Sequence, residues 1–296
     1  MPRASPASAT LTNDSWHAYA YAFLGVAIFS FTLPMSRLAV AEYNPWLLAM
    51  LRGAIGGSAA AVILLCTRSR FPNQAEWRNI LIACSGLILG WPLLSNLALQ
   101  TVPSSQAAVL IGTIPFFTAL FASFHSGQRL SARFWGWCIL GTLLVLTYAL
   151  HSSGWSVHKG HLYLLLGSAF SGVGYAYGGL VAKTLSGWRT ICWCQAISLP
   201  LTIPVSIYLT SDMPELPSPS ATGAMLYLAL MSSLFGFFPW YKAMAIGNVA
   251  KIGQVQLLQP FMAIVISALW LQEQVSLLTW GSCLLIVLII AASRKS

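Results

Sequence analysis

The sequence predicts an all-α polytopic membrane protein, with ten transmembrane helices built as two inverted five-helix repeats around a central cavity. Three observations predict it: a composition too apolar for water, ten apolar runs separated by short gaps, and an internal self-similarity at a fixed offset. Of 296 residues, 57% are hydrophobic and 7% charged, against about 25% charged in an ordinary soluble domain. Mean hydropathy is +0.73. A spanning helix needs roughly 20 apolar residues, so ten of them fit the length with about 96 residues left for tails and loops. The composition excludes a water-soluble globular protein.

Residues 1–16 are small and polar, carry one cation, Arg3, and read as a cytoplasmic tail. The run 17–37 that follows is long enough to span. No small-residue cleavage signal comes after it, so it reads as a retained helix and not a signal peptide. Runs 46–66, 77–97, 103–123 and 132–150 complete a first repeat over 17–150. Runs 160–182, 188–210, 222–242, 248–271 and 277–293 form a second over 160–293. The widest gaps, 67–76, 151–159 and 211–221, are too short for a soluble domain. Glycines 53, 56 and 57 in the second run, and 167, 172, 174, 178 and 179 in the sixth, mark places where helix backbones can approach closely. The six cysteines sit mostly inside apolar runs and read as small apolar residues.

The formal charge of +9 would point to nucleic acid in a soluble chain. Here it sets orientation. With the N-terminus in the cytoplasm, 12 of the 15 Lys/Arg fall inside, two (Arg37, Lys159) outside and one (Arg52) within the second run. That asymmetry supports an even number of spans with both termini cytoplasmic, in the inner membrane of a bacterial cell. The implied partners are the lipid bilayer and a small-molecule substrate, with no nucleic acid, cofactor or metal. The oligomeric state stays open, and a monomer is compatible.

Segment 98–143 lies on 243–288 at a constant offset of 145: Ala98 on Ala243, Pro115 on Pro260, Phe116 on Phe261, Trp135 on Trp280, Cys138 on Cys283. Earlier segments align at 142, as Gly25 on Gly167 and Trp46 on Trp188. A unit of five spans must begin its second copy from the opposite side, so the halves are inverted. Inverted halves supply two related conformations, each open to one side, with the site between them at the midplane.

Trp240-Tyr241-Lys242-Ala243-Met244-Ala245, Pro260-Phe261, Leu271-Gln272-Glu273 and Trp280-Gly281 resemble the EamA repeat of the drug/metabolite transporter superfamily. Ala98-Leu99, Pro115-Phe116 and Trp135-Gly136 carry the resemblance in the first half, which departs at Gly127-Gln128, where the family usually has an acid. The resemblance spans nearly the whole chain. It implies a ten-helix basket around a central cavity and is nearest to the YddG-type branch, associated with aromatic amino acids.

All six acids (Asp14, Glu42, Glu76, Asp212, Glu215, Glu273) fall at helix ends or in loops. Cation-coupled carriers commonly hold a carboxylate in the membrane interior, so the pattern favours a facilitator or exchanger. Arg52 lies about 9 Å into its helix. Two readings stand: a packing or snorkelling arginine, or a cavity cation that attracts a substrate carboxylate. In the ninth run Lys251, Gln254, Gln256 and Gln259 spread over a wide arc at about 100° per residue, so that helix is buried with part of its polar arc toward a cavity. Trp16, Trp46, Trp77, Trp155, Trp188 and Trp280 read as interfacial anchors. Trp91, Tyr175, Tyr177, Trp193, Phe237 and Trp240 lie deeper and could form walls for a flat apolar substrate. The candidate substrate-binding residues are Asn96, Tyr175, Tyr241, Lys251, Gln254 and Gln259, with the cavity lined by the first, third, fourth, sixth, eighth and ninth runs. No HExxH, GxSxG or P-loop supports an enzyme. The expected function is export of small hydrophobic metabolites, aromatic amino acids first. A broad drug or sugar carrier and a non-transporting membrane interaction protein are the alternatives.

Overall fold

A computed structural model describes residues 10–126, 131–152, 154–155, 158–211, 213, 215–246 and 255–293. Helices occupy every apolar run. In order they are α1 (Thr10–Ser30, then Thr32–Ala39), α2 (Pro45–Cys66), α3 (Gln74–Leu99), α4 (Ser104–Ile111, then Ile114–Ser126) and α5 (Ala132–Ser152). The second half has α6 (Lys159–Leu185), α7 (Gly187–Ala196, then Leu199–Thr210), α8 (Pro219–Ile246), α9 (Val255–Trp270) and α10 (Leu277–Ser293). Seven are long and apolar enough to cross a membrane, and α7, bent by 49°, makes an eighth. The apolar stretches of α9 and α10, Val255–Trp270 and Leu277–Ile289, are shorter.

Prolines dictate where these helices are irregular. A proline has no N–H for the carbonyl four residues earlier, and its ring crowds that carbonyl. The first piece of α1 ends at Ser30, four before Pro34; that of α4 at Ile111, four before Pro115; that of α7 at Ala196, four before Pro200. In α3 and α8 the response is a widened π-helical stretch, Ser85–Gly90 before Pro92 and Tyr227–Phe235 before Pro239. Gly236 N–H there reaches back five residues to the Met231 carbonyl at 2.7 Å. Pro260 follows a tighter 3₁₀ turn, Val255–Leu258. Only Pro204 is absorbed inside a helix, Leu199–Thr210, without a further break. The two wide stretches begin at 85 and 227, 142 positions apart. The break of α4 at 112–113 falls on 257–258 of the 3₁₀ turn at offset 145. These two irregularities therefore repeat near the offsets of the sequence, whereas the breaks of α1 and α7 have no counterpart in the continuous α6 and α2.

Side chains from other helices hydrogen-bond carbonyls in and beside these irregular stretches. Near the break in α1, the Ile28 carbonyl accepts from the Tyr227 hydroxyl at 2.9 Å, and the Phe29 carbonyl accepts from Gln259 Nε2 at 3.4 Å. In the wide stretch of α8, the Ser233 carbonyl accepts from Gln195 Nε2 at 2.8 Å.

The buried apolar side chains form two clusters. One gathers Leu47, Leu99, Leu110, Leu164 and Ile264; the other gathers Ile80, Leu185, Ile191, Phe237 and Trp240. Tyr175 packs against both. Glycines make the close helix approaches possible: a Cβ on Gly86 would strike the Phe170 carbonyl oxygen of α6, and one on Gly56 would sit 2.7 Å from the Ala229 carbonyl oxygen of α8. Gly179 has open space instead and plays no such part. Large apolar side chains such as Leu65, Leu269 and Ile207 face outward, as suits a lipid surrounding. The five described cysteines are unpaired, and four are buried.

A candidate transport chamber

The chamber lies where the two clusters meet. From the first half come Phe29 and Thr32 of α1, Arg52 of α2, Leu87 and Trp91 of α3 and Ile114 of α4. From the second half come Ser171 and Tyr175 of α6, Ser232, Ser233 and Phe237 of α8 and Gln259 of α9. Its free volume is about 30 Å³, room for a water or two. In this conformation the chamber is too small for an organic solute.

Part of the chamber lining is aromatic. Phe29 and Phe237 meet edge to face with ring centres 4.9 Å apart, and Tyr175 lies 5.9 Å from Phe237. The rest is largely polar and almost uncharged. Thr32 and Ser232 share a hydrogen bond of 2.7 Å across the two halves. Ser171 and Gln256 neighbour the Tyr175 hydroxyl. The single charge is Arg52, 2% exposed. Its Nε and Nη2 donate to Ser233 Oγ at 3.4 and 3.1 Å, and its Nη1 has no partner among the described residues. None of the chamber's lining residues is acidic.

Beyond the chamber, one face of the bundle is tied shut between the halves. Glu273, in the loop after α9, accepts from the Ser104 N–H (2.9 Å), the Ser104 hydroxyl (2.7 Å) and the Ser105 N–H (2.9 Å) at the start of α4. Burial alone would raise its carboxyl pKa, but these hydrogen bonds from Ser105 and Ser104 outweigh it and hold the group below its usual value. Ser104 Oγ also lies 2.9 Å from Ser267 Oγ. On the same face Glu42 accepts from the Ser218 N–H and hydroxyl at 2.6 and 2.7 Å, which lowers its carboxyl pKa. Arg37 donates to the Leu99 carbonyl, and Tyr43 pairs with Thr222 at 3.3 Å.

Residues 16–150 and 158–293 each match the EamA-like transporter family. The chain belongs to that family. The uncharacterised transporter YdeK of Bacillus subtilis is 36% identical over 283 residues, covering 96% of this chain and 99% of its own length. A probable terminal-alkyne amino-acid exporter of Streptantibioticus cattleyicolor is 24% identical over 261 residues, 84% of each chain. One crystal structure superposes with a TM-score of 0.65 over 94% of this chain and 98% of its own, at 18% identity, and shares the fold. The protein is a multi-pass membrane transporter with a small-molecule substrate.

Within this transporter, the residues singled out from sequence separate. Tyr175 and Gln259 line the chamber. Asn96 and Tyr241 are fully buried but lie outside it. The Asn96 amide turns to the Pro45 carbonyl of α2 at 3.4 Å, and Tyr241 sinks into the second apolar cluster, its hydroxyl against Gly178. Lys251 and Gln254 lie outside the described residues. Every helix expected to line the cavity does contribute, and α2 is added to them through Arg52. Of the deep aromatics, Trp91, Tyr175 and Phe237 reach the chamber, whereas Trp193 packs on Phe71 and Trp77 near a helix end. Arg52 does not snorkel outward: it is buried and lines the chamber. Thr32, Ser171, Ser232 and Ser233 went unnoticed, because lone hydroxyls in apolar helices usually bond their own backbone. The available signal for the two serines was their place in the turn before Pro239.

Proposed function

We propose that this transporter exports small hydrophobic metabolites, aromatic amino acids first, by alternating access, as a facilitator or exchanger. The observation that carries the reading is the small chamber between the halves, whose lining combines aromatic rings with hydroxyls and a guanidinium. An amphiphile with a flat apolar body and one polar end matches that lining. The relative named as an amino-acid exporter supports the same class. The described acids favour transport without a coupling cation: Asp14 precedes the apolar span of α1, Glu42, Glu215 and Glu273 sit in loops, and Glu76 is in the first turn of α3. Rocking of the two inverted halves would break the ties at Glu273 and Glu42 and open that face. The odd number of spans per repeat and the Lys/Arg asymmetry support placing both termini in the cytoplasm of a bacterium.

The test is exchange of labelled phenylalanine or tryptophan across liposomes holding the purified protein, with and without an imposed pH gradient. Exchange indifferent to the gradient is expected. Gradient-driven accumulation would reject the facilitator. Exchange equally inhibited by sugars or by cationic drugs would move the substrate to the broad carrier class.

A further inference from the structure

Among the described residues Arg52 has no counterion. A buried guanidinium is costly unless it is paired and hydrogen-bonded. Arginine can relieve that cost by snorkelling to the interface, yet here the side chain turns inward, is 2% exposed and meets Ser233, 181 positions away. The described acids that could neutralise it are engaged elsewhere: Glu76 with Arg70, Glu273 with Ser104 and Ser105, Glu42 with Ser218. A guanidinium carries five N–H donors. Nε and Nη2 share one hydroxyl oxygen, and Nη1 has no partner among the described residues. A neutral or cationic solute would leave this arrangement as it stands. A carboxylate would complete it, taking two parallel charge-assisted bonds from the planar fork.

From this geometry we infer that Arg52, held by Ser233, is the anion-recognition point of the chamber, and that the transported class is carboxylates with an apolar body. This rests on the proposed transport reading and sharpens it. The carboxylate is the required group; the α-ammonium of an amino acid is tolerated and not needed, because no chamber-lining residue is acidic and the ammonium would sit close to the guanidinium. Gln259 and the hydroxyls of Thr32, Ser171 and Ser232 can hydrogen-bond it but cannot neutralise it.

Three probes with the same ring separate the polar groups: 3-phenylpropionate (carboxylate only), phenylalanine (both) and phenethylamine (ammonium only). Their affinities for the full-length purified protein follow from ligand-dependent shifts of its thermal unfolding midpoint. Expected is 3-phenylpropionate binding at least as tightly as phenylalanine and at least tenfold more tightly than phenethylamine. Arg52→Gln should erase that advantage, and Arg52→Lys should keep part of it, since lysine supplies charge without the fork. Phenethylamine binding as tightly as 3-phenylpropionate, or an advantage untouched by Arg52→Gln, would overturn the inference. If Arg52→Gln does not fold, Ser233→Ala serves: at least a threefold loss for the carboxylate with none for phenethylamine is expected, and no loss overturns it. Carboxylate binding that depends on Arg52 in a protein that exchanges no labelled phenylalanine would uphold Arg52 and reject the transport reading instead.

Discussion

Glu273 gives the sharpest test of how the halves are held together. The start of α4 has no side-chain cap of its own: Pro103 precedes it, and no side chain of the cap residue bonds its first N–H groups. The cap is Glu273, supplied by the other half of the molecule. Replacing it with alanine removes three hydrogen bonds to a carboxylate. Bonds to charged groups contribute about 1.5–3 kcal/mol each, and an anion at a helix N-terminus adds about 0.3–1 kcal/mol. The loop is half-exposed, so water replaces much of what is lost, and typical caps contribute about 1–2 kcal/mol. The expected cost is therefore about 2 kcal/mol, roughly 30-fold in an opening equilibrium at 1.36 kcal/mol per tenfold. Hydrogen exchange in lipid nanodiscs reads this directly: the Ser104 and Ser105 amides of Glu273→Ala should exchange about 30-fold faster, with α3 unaffected. The pH dependence has a defined sign. The carboxyl pKa is lowered in the folded protein, so the tie is complete above the ordinary glutamate range and is lost as pH falls through the lowered value. The difference between wild type and variant should then vanish in acid. Exchange at Ser104 and Ser105 that stays within threefold of wild type at neutral pH would refute the cap.

Three further outcomes follow from the packing. Gly86→Ala would drive a methyl into the Phe170 carbonyl and within 2.9 Å of the Gly174 nitrogen, so about 1–3 kcal/mol should be lost, read as a lower unfolding midpoint; an unchanged midpoint would contradict the tight α3–α6 contact. Arg70→Ala should cost about 2 kcal/mol, since it strips the buried Glu76 of bonds of 2.8 and 2.9 Å; the cost should shrink in a Glu76→Gln background, and an undiminished cost would mean the loss is not through Glu76. Tyr241→Phe should leave both stability and exchange rate near wild type, because the hydroxyl has no hydrogen-bond partner among the described residues and lies outside the chamber; a large drop in exchange would restore Tyr241 to the site.

Much of the fold was legible along the chain because its causes are local or compositional. Apolar runs long enough to span, and the repeat offsets of 142 and 145, need no tertiary information. The helix breaks were legible in principle too: each proline acts on the carbonyl four residues before it, so Ser30, Ile111 and Ala196 could have been named as ends from Pro34, Pro115 and Pro200. The site was less legible. In a soluble helix the apolar stripe tells which face is inward, but lipid is as apolar as the protein interior. These helices are apolar nearly all round, and facing cannot be read from them. Asn96 and Tyr241 were chosen on that missing information and turned out to point at neighbouring helices.

The sequence by itself therefore determined a duplicated, membrane-spanning helical transporter and the positions at which its helices must bend, because hydrophobic length and proline chemistry act within one segment. Only the tertiary structure decided which side chains share the chamber. Arg52 could have snorkelled from its depth in α2, and the packing of α8 placed Ser233 where the guanidinium turns inward instead. That choice depends on a contact across 181 residues, which no local pattern encodes.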